Sequence, residues 1–285
     1  MAKLPLCDGH DVPQLCLVSF RAETQGETKS AVRRAWQAGI RHFELSELFG
    51  NAFMVCDALR EVHAERSELY LTLKLWPKAR KPEDLIASCT TMLHEVGLEY
   101  VDLLLIHAPI DIENKTDQWK ALEDLKDSGY CKSLGVANLT SLSLTEVLKN
   151  CRITPSVFEM EVTPFHQRQD LVEFCFDSSM VVLNNDPIAK GLRNNKANVQ
   201  DLAEEAGVAV DVLLLRYAAA RGFVVGIPER CIDLLGGDAE ASILGTPLPE
   251  GVLRKLSCLD VGCGLSWVPP ELSPEEAEEF LTRRD

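Results

Sequence analysis

The sequence predicts a closed (β/α)8 barrel from three observations. Eight short apolar segments alternate with segments whose apolar residues recur at helical spacing, which indicates a parallel α/β fold. The fourth apolar segment, VDLLLI at Val101–Ile106, is apolar almost throughout, as is typical of a strand covered on both faces. No GxGxxG fingerprint follows an early strand, so the closed barrel is favoured over an open dinucleotide-binding sheet.

The N-terminal half begins with a turn signal, DGHDVP, which predicts a β-hairpin before the barrel. Gly39 is suited to the end of a helix, and Pro82 is tolerated in a first helical turn. We predict strands at Gln14–Phe20, Arg41–Leu45, Leu69–Leu75 and Val101–Ile106, and helices at Glu27–Ala38, Phe53–His63, 82–96 and Thr116–Asp127.

The C-terminal half continues the alternation as far as residue 227. We predict strands at Cys131–Val136, Ser156–Glu161, Met180–Leu183 and Phe223–Ile227, and helices at Ser141–Asn150, Arg168–Asp177, Val199–Ala206 and Val210–Arg221. From Ile232 the chain is rich in Gly and Pro and predicts an irregular extension, although Pro274–Arg284 begins acidic and ends basic, as a helix does. No linker is evident, so residues 1–285 are expected to form one barrel domain, divergent from about residue 232.

Composition excludes several classes of function. An apolar content of 46% supports a real core, and the net charge of −15 argues against direct nucleic-acid binding. No stretch reaches the roughly 18 apolar residues of a membrane span, and the N-terminus carries no leader pattern. The ten cysteines form no CxxC pair, which predicts no structural zinc and reduced thiols in the cytoplasm or another reducing intracellular compartment.

Three predicted strands end in residues that carry chemistry. Glu44 follows IRHF, Lys74 lies in LTLKLWP, and His107 follows VDLLLI. In a parallel barrel the carboxyl ends of the strands converge on one mouth, where active sites lie. The sequence therefore predicts a site at this mouth.

These segments resemble the signature strands of the aldo-keto reductase family, from about residue 8 to residue 228. The resemblance implies a barrel that reduces carbonyls with NADPH through an Asp, a Tyr, a Lys and a His. Lys74 and His107 match the family, whereas Glu44 stands at the aspartate position and Phe49 at the tyrosine position.

Phe49 is the change with the largest expected consequence. Phenylalanine has no proton to give, and general acid catalysis is typically worth about 10²–10⁴-fold. Glu44 and Lys74 are then expected to form a structural ion pair, and His107 to be a structural residue. Proton transfer through His107, or through water, is the alternative.

The cofactor positions implied by the resemblance are altered as well. GVANL supplies Asn138 but has an alanine for the family's serine, and Glu159 replaces a neutral amide. Asn185 stands where the family stacks an aromatic ring on the nicotinamide, and Glu229-Arg230 follows Ile-Pro where the family grips the 2′-phosphate. We therefore expect no cofactor, or NADPH if any.

These changes favour a catalytically inactive member that acts as a structural, scaffolding or regulatory subunit beside an unidentified protein partner. The alternative is a residual NAD(P)H-dependent carbonyl oxidoreductase with altered chemistry. A weaker alternative is a modifier subunit of the glutamate–cysteine ligase type, which the segments NDP at Asn185–Pro187 and LLLRYA at Leu213–Ala218 resemble.

Overall fold

Eight parallel strands close into a barrel in the computed structural model, which describes residues 1–20, 22, 24–76, 81–107 and 115–262. The barrel strands are β3 (Leu15–Leu17), β4 (His42–Ser46), β5 (Tyr70–Leu75), β6 (Val101–Ile106), β7 (Cys131–Ala137), β8 (Val157–Met160), β9 (Val181–Asn184) and β10 (Val224–Ile227). They pair in chain order, and β10 pairs with β3 to complete the ring. The predicted (β/α)8 barrel is confirmed.

A short hairpin covers the N-terminal end of the barrel. Its strands, β1 (Lys3–Pro5) and β2 (Asp11–Pro13), are antiparallel, with Leu4 opposite Val12. Val12 is buried in the same apolar cluster as Leu103 of β6, inside the barrel. The hairpin predicted from the DGHDVP turn is therefore present and closes the end opposite the mouth.

Helices surround the barrel. They are α1 (Gln25–Gln37), α2 (Ala52–Glu61), α3 (Pro82–Glu95), α4 (Lys115–Asp127), α5 (Ser141–Asn150), α6 (Gln169–Asp177), α7 (Ala197–Ala206) and α8 (Val210–Ala220). α1 begins after Thr24, whose side chain accepts a hydrogen bond from Glu27 N, and Gly39 follows its end with φ +85°. Pro82 occupies the first turn of α3, as predicted.

Alternation along each strand separates an outer core from the barrel interior. On β4, Phe43 and Leu45 pack outward in the large cluster shared with the helices. The intervening residue, Glu44, is buried and contacts Lys74, whose own neighbours Leu73 and Leu75 belong to the outer cluster. The period of two therefore places both charged side chains inside the barrel, near the carboxyl ends of their strands.

The described part of the C-terminal region is more regular than the sequence predicts. A 3₁₀ helix at Glu229–Leu235 is followed by α9 (Ala239–Ile243) and α10 (Glu250–Ser257). Val252 and Leu256 of α10 are fully buried in one apolar cluster with Leu202 of α7. This tertiary packing stabilises helices that the local Gly and Pro content did not predict. The helix predicted at Pro274–Arg284 lies outside the described residues.

Two further expectations concern compartment and membranes. The nine cysteines among the described residues are all free thiols. None of the described helices combines the length and the apolar character that crossing a bilayer requires. The compartment itself stays a prediction.

Candidate active site

A cavity of about 330 Å³ opens at the carboxyl ends of the barrel strands. Part of its wall is apolar, and the rest carries charged and amide side chains. Its lining residues are Val18, Ser19, Phe20, Glu44, Phe49, Lys74, His107, Asn138, Asn185, Asp186, Ile188, Lys190, Pro228, Glu229 and Arg230. Of the eight positions singled out from sequence, seven line this cavity and Glu159 lies behind its lining.

One ammonium faces two carboxylates at the base of the cavity. Lys74 Nζ lies 2.9 Å from Glu44 Oε1 and 2.7 Å from Glu159 Oε1. The three side chains come from β5, β4 and β8 and are buried. The expected Glu44–Lys74 contact is present, and Glu159 joins it. With both carboxyls ionised, this Glu44–Lys74–Glu159 triad carries one net negative charge.

The pKa values of the two carboxyls in the triad shift in opposite directions. Burial and the charge of Glu44 raise the pKa of Glu159 to about 7, against the opposing effect of Lys74. Burial also acts to raise the pKa of Glu44, but Lys74 and the hydrogen bonds from Ser19 bring it below its ordinary value. Burial disfavours the charged form of Lys74, yet the two carboxylates hold its pKa above the usual range. The proton that titrates near neutrality is therefore on Glu159.

Two uncharged side chains orient the carboxylates. Ser19 follows β3, the first barrel strand. Its hydroxyl donates to Glu44 Oε1, and its backbone N–H donates to the same oxygen at 3.3 Å. Asn185 Nδ2 donates to Glu159 Oε1 at 2.9 Å. Thus Asn185, predicted at a cofactor position, also holds the triad.

Several buried polar atoms at the site have no partner among the described residues. They are Glu44 Oε2, Glu159 Oε2, His107 Nδ1 and Asn185 Oδ1. Buried polar atoms are nearly always hydrogen-bonded, and exceptions cluster where a ligand or a proton is handled. Among the described residues, the only buried carboxylate oxygens without a partner are the two at this cavity base.

His107 is held as a neutral imidazole. Its Nε2 lies 3.1 Å from Asn138 Nδ2, and the edge of the Trp76 ring packs against it with the centroids 4.8 Å apart. Burial, and then the charge of Lys74, lower its pKa to about 2. These effects favour the neutral form of His107 at neutral pH, and proton transfer through His107, the alternative raised from sequence, stays a hypothesis.

Asn138 owes its place to an unusual backbone conformation. It follows β7 with φ +56°, a region that Asn tolerates better than most residues, and its N–H donates to Glu159 O at 2.8 Å. This geometry brings its amide against His107. The asparagine singled out from GVANL is therefore fixed both by its backbone and by its side chain.

Phe49 lies at the rim, on the turn after β4. Its side chain is 40% exposed and lines the cavity, where it has no hydroxyl to offer. Tyr70 and Tyr100 line a different cavity, at the N-terminal end of the barrel. No tyrosine lies among the described residues that line the mouth.

Two cations flank the opposite rim. Arg230 donates to Lys190 O at 3.1 Å and to Asp211 Oδ1 at 3.2 Å, and its guanidinium packs where a side chain at Gly191 would lie. Lys190 adopts φ +51° and donates its N–H to the Asp186 carboxylate at 3.1 Å. Sequence reasoning missed Lys190, and the Lys-Gly pair after β9 is the signal that could have found it. These contacts hold the Arg230 guanidinium at the rim.

Comparison with known proteins identifies the family. Residues 20–230 match the Aldo/keto reductase family, and the chain belongs to it. A 9,11-endoperoxide prostaglandin H2 reductase of Trypanosoma cruzi is 36% identical over 223 residues, which cover 76% of this chain and 77% of that protein. A glycerol 2-dehydrogenase (NADP(+)) of Hypocrea jecorina is 28% identical over 76% of this chain and 80% of its own length.

Solved structures share the fold. An aldo-keto reductase of Brucella melitensis has a TM-score of 0.83 at 26% identity, covering 91% of this chain and 99% of that one. An aldo-keto reductase of Bombyx mori in complex with NADP also has a TM-score of 0.83, at 22% identity, over 94% of this chain and 95% of its own. The latter likeness supports the barrel architecture alone.

These findings correct the expectation of an inactive protein. The relatives are named as reductases and dehydrogenases and align over three quarters of the chain, which points to an enzyme. The prediction of a catalytically inactive member is therefore wrong. The absence of a hydroxyl at Phe49 is therefore not sufficient ground to expect inactivity.

Proposed function

We propose that this protein is an NADPH-dependent carbonyl oxidoreductase in which Lys74 donates the proton to the carbonyl oxygen. The observation that carries the proposal is the position of the Lys74 ammonium on the cavity wall. An ammonium has three N–H bonds, and the described structure gives Nζ two carboxylate partners. The third N–H is available to a substrate oxygen in the cavity.

The donor and acceptor set of the cavity fits a nicotinamide dinucleotide. Asn185 Oδ1 is a buried acceptor without a described partner, and Asn138 offers a second amide, so a carboxamide has complementary groups. Lys190 and Arg230 lie on one rim and suit a phosphate, although Glu229 beside them reduces the attraction. These four residues are our candidates for cofactor contacts.

A nicotinamide dinucleotide held by these residues would supply the hydride for the carbonyl carbon. Lys74 then stabilises the charge that develops on the carbonyl oxygen, in a buried setting where electrostatic stabilisation is stronger than in water. Glu44, tied to Ser19, keeps the ammonium in place. Neutral His107 lines the same cavity, and its contact with Asn138 holds that amide at the cavity wall.

The comparisons support an oxidoreductase over a protein without chemistry. One relative is named for NADP(+), which supports NADPH as the cofactor. The named activities, on glycerol and on an endoperoxide, differ, so they do not indicate the substrate of this protein. The predicted protein partner and the regulatory-subunit hypothesis have no support from these relatives and stay predictions.

Binding and turnover together test the proposal. Isothermal titration of the pure protein with NADPH and with NADH should give saturable heat, larger for NADPH. Loss of NADPH absorbance on addition of small aldehydes and ketones should follow enzyme concentration. Absence of heat at high micromolar cofactor, together with absence of turnover across the panel, would refute the function.

A further inference from the structure

We propose, on the basis of the oxidoreductase function above, that Glu159 is a positioning residue that holds the proton Lys74 passes to the substrate. Glu159 does not line the cavity and therefore does not touch the substrate. It acts through Lys74, which lies between it and the cavity.

The contacts of Glu159 suit a carboxyl that exchanges a proton with Lys74. Its Oε1 lies 2.7 Å from Lys74 Nζ, within the range over which protons transfer, and also accepts from Asn185 at 2.9 Å. Its Oε2 is buried without a partner among the described residues. A buried carboxylate oxygen without a hydrogen bond is costly, so the protonated form is favoured.

The charges acting on Glu159 come from strands across the barrel interior. Glu44 on β4 repels it and Lys74 on β5 attracts it, while Asn185, after β9, is uncharged. Cys16 on β3 interacts with the triad, and burial raises the pKa of its thiol so that it remains neutral. The balance favours a proton on Glu159 at and below neutral pH.

Protonation of Glu159 makes Lys74 a better acid. With both carboxyls ionised, two negative charges hold the ammonium proton. With Glu159 neutral, Glu44 alone holds it, so the proton leaves Lys74 more readily. Glu159 therefore sets the acid strength of Lys74 and also stores the replacement proton.

The step balances in atoms and electrons. The electron pair arrives as hydride from the reduced nicotinamide dinucleotide, and the carbonyl π pair moves to oxygen. An N–H bond of Lys74 breaks as the O–H bond of the alcohol forms. The neutral amine then takes the proton of Glu159, so the carboxyl O–H breaks, the N–H re-forms, and Glu159 ends as carboxylate. In the oxidation direction each transfer runs in reverse.

The first test needs no cofactor. Carbon-13 NMR of glutamate-labelled protein should show one buried carboxyl titrating near neutrality, at a pH well above that of exposed glutamates. The resonance should disappear in Glu159→Gln and persist in Glu99→Gln, a control at an exposed position. If all glutamate carboxyls titrate below pH 5.5, the inference is overturned.

The second test is the pH profile of turnover. Reduction by the wild type and by Glu99→Gln should fall as pH rises through about 7, because the proton leaves Glu159. In Glu159→Gln this limb should vanish, and kcat at pH 6 should drop by at least about tenfold. An unchanged profile in a folded Glu159→Gln would overturn the inference and leave the oxidoreductase function standing.

A conservative variant separates proton supply from support of the fold. Glu159→Asp keeps a titratable carboxyl at a longer distance from Lys74, so it should retain the pH limb at a reduced rate. Loss of the limb in a folded Glu159→Asp would count against the relay. Failure of the wild type to turn over NADPH would refute the proposed function itself, a result distinct from either.

Discussion

The two ends of the barrel handle buried charge in opposite ways. At the N-terminal end a single carboxylate, Asp102, faces two cations, Arg66 and Lys132, each at 2.8 Å. It also accepts the N–H of Leu71 at 3.0 Å. At the mouth a single ammonium, Lys74, faces two carboxylates.

The two ends differ in the sign of the central charge and also in how many carboxylate oxygens have a hydrogen-bond or ion-pair partner. Both oxygens of Asp102 have partners, whereas Glu44 Oε2 and Glu159 Oε2 have none among the described residues. In barrels of this fold the active site lies at the carboxyl ends of the strands, and residues at the N-terminal end contribute to stability. The comparison teaches that the buried carboxylate at the N-terminal end is fully paired, whereas those at the mouth, where we propose the chemistry, are not.

Removal of the ammonium at the mouth should have the largest effect. In Lys74→Met no N–H remains to stabilise the carbonyl oxygen, so kcat/KM for carbonyl reduction should fall by about 10²–10⁴-fold. Steady-state kinetics with NADPH and a reactive aldehyde measures it, and circular dichroism verifies the fold. Activity within threefold of the wild type would show that Lys74 is not the proton donor.

Removal of the carboxylate at the opposite end should affect stability and not catalysis. In Asp102→Ala two cations and one backbone N–H lose their acceptor, which should cost about 2–3 kcal/mol of unfolding free energy because both cations can still reach solvent. Urea denaturation measures the loss. The kcat of the folded fraction should stay unchanged, and a fall in kcat like that of Lys74→Met would break the contrast between the two ends.

Glu159 should make stability depend on pH in a defined direction. Its pKa is raised in the folded state, to about 7 from 4.5, so the folded protein binds more protons and unfolding free energy declines as pH rises through this window. Asp186, raised to about 6 by burial, acts in the same direction. The Glu159→Gln variant should therefore gain stability relative to the wild type between pH 5 and 8, by on the order of 1–3 kcal/mol.

The measurement is the difference between the two melting curves at each pH. Taking the difference removes the contributions of Asp186 and the buried histidines, which both proteins share. A difference that stays constant from pH 5 to 8 would mean that Glu159 keeps an ordinary pKa in the folded protein.

Restoration of the rim hydroxyl should have the smallest effect. Phe49 is 40% exposed, so the hydroxyl of Phe49→Tyr would stay partly hydrated and should raise kcat by less than about tenfold. The double variant with Lys74→Met should remain as slow as Lys74→Met alone. A rise of a hundredfold would show instead that the tyrosine geometry survives at the rim and that Lys74 was a weak substitute.

Sequence reasoning located the fold and most of the mouth, for local reasons. Apolar runs mark the strand ends, so Lys74 could be placed from LTLKLWP and His107 from VDLLLI. Both residues line the cavity. The irregular region after Ile232 was harder, because the burial of Val252 against Leu202 depends on a contact across about 50 positions. The lack of a hydroxyl at Phe49 could be read from the sequence. The contact between Lys74 and Glu159, which we propose supplies the proton instead, could not.

The amino-acid sequence by itself determined the period-two alternation that points Glu44 and Lys74 inward and the absence of a hydroxyl at Phe49, since both are properties of neighbouring residues. The tertiary structure alone decided that Glu159, 85 positions after Lys74, lies 2.7 Å from its ammonium. Barrel closure brings β5 and β8 to one mouth, and the protonation of a buried carboxyl is set by the charges around it in space. The Glu159–Lys74 contact on which our proposal depends is therefore a property of the folded protein and not of the sequence.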